Sequence, residues 1–345
     1  MSWPSLGSHP VSSHPQLTTP IVPLGGLVFA VLLLYLKVPT PNTPVLAGLK
    51  AVDWTGCLLI VGGALMVLLG LDLGGVAYPW TSATTISLIV FGAFVVSIFL
   101  LVEWKLAANP VMPLRLFSTA STAAAYAVYA CDFYVFTGLA YYLPLYSQSV
   151  LAADALISGV HLVPLIVACS LAAAFSGVVI QRTGAYLPVM YVSQVLLTLG
   201  TGLFMDLKFE ASPARLFAFE IIAGIGVGMN IEPPLLAAQA ATPVRDTAAV
   251  VATMSFLRSI ANAVSIVVGG VIFQGQMDAA YPGMVAQVGE ESGSHFRGSK
   301  AVASVDFISD LPANDQSIVR RVYFDALKKM WIMVSLPLPH DSHHL

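Results

Sequence analysis

Four charged side chains sit inside otherwise apolar runs of this sequence: Asp132, Glu220, Glu232 and Arg258. A charge in such a run is expensive and marks a candidate site for protons, ions or substrate. Asp132 lies near the middle of its run and is a candidate proton-coupling acid, or an acid facing a watery cavity or partner polar group without carrying protons. Glu220 lies within two turns of the start of its run and reads as an interfacial carboxylate. Glu232 and Arg258 each stand 13 residues from Arg245, one before it and one after. On antiparallel helices joined there, both reach about 15 Å from the helix ends, at 1.5 Å per residue. This predicts a Glu232–Arg258 ion pair or shared polar network, since a facing pair is tolerable where either charge alone is costly. Asn230 and His161 are further polar candidates in the same runs. His161 reads as a satisfied or cavity-facing histidine, with substrate contact as the alternative.

Other chemistries find no support. The cysteines Cys57, Cys131 and Cys169 all lie in apolar stretches and read as small buried hydrophobes. No His/Cys/acid cluster at metal spacing and no Ser/His/Asp set stands out, so neither a metal, a cofactor nor an enzyme is expected. The net charge of −3, with no basic cluster, argues against nucleic acid as a partner.

The composition explains why those charges stand out. Of 345 residues, 57% are hydrophobic and 10% charged, against about 25% charged in ordinary soluble domains. Of the charged side chains, 14 fall from Asp278 onward and 19 are spread over the 277 residues before it. The first four fifths is membrane material, and the class expected is an all-α polytopic membrane protein embedded in a lipid bilayer.

A spanning helix needs about 20 mostly apolar residues. Uncharged runs predict about eight transmembrane helices: Ile21 to Leu36, Trp54 to Leu71, Thr84 to Val102, Thr122 to Leu145, Ala155 to Ile180, Tyr186 to Met205, Leu216 to Ala238 and Ala248 to Phe273. The first is short, and Tyr78, Pro79 and Trp80 mark the turn between the second and third. A ninth, Met330 to Leu338, is too short and carries two prolines, so it reads as aborted before a polar tail. Lys37, Lys50, Lys105, Arg115, Arg182 and Arg245 fall in one set of loops, while only Lys208 and Arg215 fall in the other. The first set is therefore cytoplasmic. The N-terminus and residues 274–329 are then outside.

Several motifs carry a resemblance. Gly177-Val178-Val179-Ile180-Gln181-Arg182-Thr183-Gly184 resembles the major facilitator superfamily loop signature, with Gln181 in place of the usual acid and Ala185 where a base usually follows. A tight cytoplasmic turn needs such glycines, and its Arg can bond helix-end carbonyls. Ala223-Gly224-Ile225-Gly226-Val227-Gly228-Met229-Asn230, with Pro233, Pro234, Leu235 and Gln239, is similar to the twelfth span of fungal fourteen-span drug:proton antiporters of that superfamily. So are Pro110 to Phe117, Tyr141-Tyr142-Leu143-Pro144-Leu145-Tyr146, and Phe256-Leu257-Arg258-Ser259 leading to Gly269-Gly270.

The resemblance covers about residues 21–277 and implies a partial major-facilitator fold whose eight spans are the sixth to thirteenth of fourteen. Residues 1–20 are then a polar tail. Residues 21–102 hold the last helix of the N-terminal bundle and two central extra helices, 103–273 five spans of the C-terminal bundle, 274–329 an extracellular loop, and 330–345 the aborted span and tail. The implied function is efflux of drugs or secondary metabolites by proton antiport, with an amphipathic small molecule and protons as partners and the cell membrane as location. The alternatives are a truncated membrane protein that does not transport, or a partner-dependent regulatory fragment. Gly224, Gly226 and Gly228 serve close helix packing, since no strand precedes them as a dinucleotide loop requires. Pro233 and Pro234 are expected to kink or unwind the seventh span beside Glu232.

Overall fold

A computed structural model describes residues 21–35, 53–74, 77–105, 112–209 and 212–335. The polar tail of residues 1–20, Lys37, Lys50, Pro110, Val111 and residues 336–345 lie outside the described residues. The chain divides into two units at residues 51 and 52. In the first, α1 spans Ile21–Tyr35. Its 15 residues reach about 22 Å, short of a bilayer core of about 30 Å.

The second unit is helical. After α2 (Trp54–Leu73) and α3 (Ala83–Lys105) come α4 (Ala120–Ser149), α5 (Ala155–His161), α6 (Val163–Thr183) and α7 (Leu187–Met205). Then follow α8 (Pro213–Met229), α9 (Pro233–Ala240) and α10 (Thr247–Val288). The short α11 (Glu290–Gly293) and α12 (Lys300–Ala303) lead to α13 (Ala313–Ser335). Taking α5 with α6 and α8 with α9, the described residues hold seven spans long and apolar enough to cross a membrane. They coincide with the second to eighth runs read from the sequence. The chain is thus a multi-pass membrane protein of all-α class.

Local chemistry sets the helix ends. Asp53 accepts a hydrogen bond from the Gly56 backbone N–H at 2.8 Å, and Asp154 accepts one from Ile157 at 2.7 Å, each satisfying a donor left free at a helix start. Gly184, at φ +68, closes α6 in the left-handed conformation, its N–H bonded to the Ile180 carbonyl at 2.8 Å.

Between α8 and α9 the chain departs from the helix. Asn230 N–H turns back to Val227 O at 3.0 Å, and Pro233 and Pro234 carry no N–H with which to resume the ladder. The expected break beside Glu232 is therefore present, at residues 230–232.

Beyond residue 273 the sequence leads to an outer loop and an aborted span, whereas the described chain there is mostly helix. The 42 residues of α10 reach about 63 Å, twice the thickness of a bilayer core, and Met277 and Met284 remain buried. Helix α13 packs on α10, α7 and α4. Its Val319, Tyr323, Leu327, Met330 and Trp331 form one buried stripe at helical spacing. The start of the expected aborted span is accordingly core.

Candidate membrane-embedded carboxylate site

Asp132 stands on α4 twelve residues past its start and is 2% exposed. Two amides from different helices close on it. Gln194 of α7 donates through Nε2 to Oδ1 at 2.9 Å, and Asn230, in the break after α8, donates through Nδ2 to Oδ2. Two donors on one carboxylate compensate much of the cost of burying its charge. The outward oxygens of the same amides, Gln194 Oε1 and Asn230 Oδ1, are buried without a partner. The cluster therefore joins three elements through one titratable group and retains unused acceptors.

The third element of the cluster is the break itself. Asn230 ends α8 with a 3₁₀-like backbone bond to Val227, and from that position its side chain reaches Asp132 on α4. Helix α8 is itself held closely on both sides. A Cβ added at Gly226 would lie 2.5 Å from the Leu197 backbone nitrogen of α7, and one at Gly224 would lie 2.5 Å from the Leu165 carbonyl oxygen of α6. One at Gly228 would fall on the Cys169 carbonyl. Ser193 of α7 adds a bond to the Gly226 carbonyl at 2.7 Å.

A second polar seam joins α4 to α10. Ser265 donates to the Tyr134 carbonyl at 2.6 Å and Tyr142 to the Ile266 carbonyl at 2.6 Å. The amide of Asn262, oriented to satisfy its surroundings, donates to Thr137 Oγ1 at 2.7 Å and to the Phe133 carbonyl at 3.3 Å. Gly269 leaves room for the Tyr142 ring, which a Cβ would approach to 2.5 Å.

Among the described residues Glu232 and Arg258 form neither the expected ion pair nor a shared polar network. Arg258 is exposed, with its guanidinium 4.8 Å over the Phe133 ring, and Glu232 is exposed in the break. Matching depth was a necessary condition; the unwinding at 230–232 sets the direction of Glu232 independently of α10. Glu220 also departs from expectation. It is 0% exposed because it shares the face of α8 that Gly224 and Gly228 press against α6, and among the described residues neither oxygen has a partner. His161 ends α5, its ring 5.4 Å from that of Phe217.

The loop motif lies at the end of α6, where Gln181, Arg182 and Gly184 are exposed and Gly177 has open space around it. Arg182 in the last turn suits the negative end of the helix. Two features escaped the sequence reading. Gln194 carries no charge, and its only signal was an amide in an apolar span. Arg115 and Asp246 form an ion pair of 2.8 Å joining the turns that precede α4 and α10.

The sequence matches the family of fungal trichothecene efflux pumps over residues 44–195. It is 40% identical over 314 residues to the MFS-type transporter ppz2 of Metarhizium majus, a match covering 90% of this chain and 54% of that protein. It is 40% identical over 312 residues to the efflux pump dotC of Dothistroma septosporum, covering 90% and 53%. An MFS-type transporter of Aspergillus terreus is 38% identical over 337 residues, covering 96% and 61%. The chain thus spans about half the length of the first two of these relatives.

Proposed function

We propose that the chain is of the major facilitator superfamily and serves the export of amphipathic small molecules, drugs or secondary metabolites, across the cell membrane in exchange for protons. The observation that carries this reading is the buried Asp132 held by Gln194 and Asn230 at a break in a spanning helix. Broken helices at membrane depth suit binding sites, because freed backbone and side-chain polar groups are tolerated only where protein or a cavity receives them.

In this reading the charged carboxylate holds both amides. A proton arriving on Asp132 removes the negative charge, weakens both bonds and frees the α8–α9 break to move relative to α4 and α7. Loss of the proton restores them. Coupling then consists in substrate favouring one of these two states, by no more than its difference in affinity for them.

The test uses lipid vesicles containing the full chain and loaded with a fluorescent amphipathic dye. A proton gradient is expected to drive dye export by the wild-type chain and not by Asp132→Asn. Export that ignores the gradient, or that is equal in both, would refute the assignment. A second reading is favoured by Glu232 and Arg258, exposed charges on apolar helices that call for polar surroundings. On that reading the chain works against another helical bundle, and export appears only when a full-length relative co-purifies with it.

A further inference from the structure

One buried acid has no part in that reading. Glu220 is 0% exposed, and among the described residues neither of its oxygens has a hydrogen-bond partner. An isolated ionised carboxylate so placed is costly, so the group must keep a proton or find a donor. The helix register shows where a partner comes from. Phe217, Glu220, Gly224 and Gly228 lie along one face of α8, at spacings of three and four residues. Gly224 packs against Leu165 and Ala168, and Gly228 against Cys169.

Helices α6 and α8 therefore run in the same direction. One turn back from the Gly224–Leu165 contact lie Glu220 on α8 and His161 on α5. Depth agrees: Glu220 is seven residues past the start of α8 and His161 six past the start of α5, each about 10 Å in. The His161 ring packs edge-on to Phe217, and its Nδ1 is also buried without a partner. An acid and a base, each lacking a partner among the described residues, thus occupy corresponding turns of segments that meet at the ring contact of His161 with Phe217.

We propose that Glu220 and His161 form a proton-binding site separate from Asp132, in which one proton is exchanged between a Glu220 carboxyl oxygen and Nδ1 of His161. In the structure the two groups are not hydrogen-bonded to each other, and the exchange starts from the proton on Glu220. Rotation of the His161 ring off Phe217 brings Nδ1 to the carboxyl. The O–H bond then breaks as the N–H bond forms, leaving carboxylate beside imidazolium with the total charge unchanged.

The other ionisable groups facing α8 do not complete Glu220. Cys169 on α6 lies at Gly228. Asp206, just past α7, is bound to Arg215 at 3.0 Å, and Asp132 on α4 meets α8 ten residues further on, at Asn230. This site extends the proton-coupled reading without depending on Asp132.

The experiment exposes the full chain in lipid vesicles to dicyclohexylcarbodiimide, which forms a covalent adduct with protonated carboxyls in apolar surroundings. Modified peptides are identified by mass spectrometry over a series of pH values. Glu220 is expected to be labelled at acid pH and progressively less as pH rises. At alkaline pH, His161→Gln should raise Glu220 labelling several-fold, because the proton has no second holder, while Asp132→Asn should leave it unchanged.

Diethyl pyrocarbonate reads the pair from the other side on a different variant. Its modification of His161 should rise several-fold in Glu220→Gln. A wild-type chain in which Glu220 takes no label at any pH would overturn the proposal. So would His161→Gln labelling indistinguishable from wild type, or His161 reactivity unmoved by Glu220→Gln.

Discussion

Replacing Gly226 by alanine tests how closely α8 is gripped. The new Cβ would lie 2.5 Å from the Leu197 backbone nitrogen and 2.6 Å from its Cα. Ordinary contact needs about 3.5 to 4 Å, so α7 and α8 must part by about 1 Å. Backbone cannot rotate aside as a side-chain tip can, and overpacking of this kind costs about 1–3 kcal/mol. Alanine in a helix recovers about 0.5–1 kcal/mol relative to glycine, which leaves a net loss of about 0.5–2 kcal/mol. Gly202, on α7, has open space where its Cβ would be, so Gly202→Ala should gain about 0.5–1 kcal/mol by the same propensity. The two variants therefore shift stability in opposite directions. Reversible unfolding in mixed detergent micelles, followed by tryptophan fluorescence, reads both. If Gly226→Ala stabilises the chain as Gly202→Ala does, the close α7–α8 contact is refuted.

Two further outcomes follow from the polar contacts. Asn230→Leu removes one of the two donors on Asp132 and leaves its oxygen unsatisfied, at a cost of about 1–3 kcal/mol; Asp132→Leu with Asn230→Leu should cost less than the sum of the singles, and strict additivity in the unfolding assay would count against the bond. For Glu232 and Arg258 the expectation is reversed. Their alanine variants should add within about 0.3–0.5 kcal/mol, because Arg258 lies over Phe133 instead of Glu232, and a larger coupling would restore the ion pair.

The spans were legible because a bilayer demands long uncharged runs, and that demand is written directly in composition. What lies past Phe273 was less so. Gln274, Gly275, Gln276 and Asp278 look like the end of a helix, yet α10 runs on because Met277 and Met284 find buried places. Helix α13 is not an uncharged run, because Asp315, Arg321, Asp325, Lys328 and Lys329 lie off the stripe of Val319, Tyr323, Leu327 and Trp331, while Arg320 lies within it with its Nε buried. Among the polar residues, Asp132 and Asn230 were both visible as polar groups in apolar helices. That they meet depends on the prolines ending α8, which the sequence did show. Gln194 depends on the rotation of α7, which it did not. The Glu232–Arg258 pairing failed for the same reason, since counting residues from a loop gives depth but not direction around the axis.

Helix α8 connects these observations. One face, with Gly224 and Gly228, lies against α6 and carries Phe217 to His161 on α5; another, Gly226 under Ser193 and Leu197, lies against α7; its end delivers Asn230 to Asp132 on α4. Backbone contact on two sides leaves little room for the helix to bend along its length, so a change at Asp132 cannot be absorbed locally and must appear either as movement at the 230–232 break or as a shift of α8 as a rigid body. The first alternative leaves the Glu220–His161 level undisturbed, whereas the second carries Glu220 past His161. Carbodiimide labelling of Glu220 in Asp132→Asn distinguishes them: labelling equal to wild type assigns the motion to the break, and altered labelling assigns it to the whole helix and ends the independence of the two proton sites.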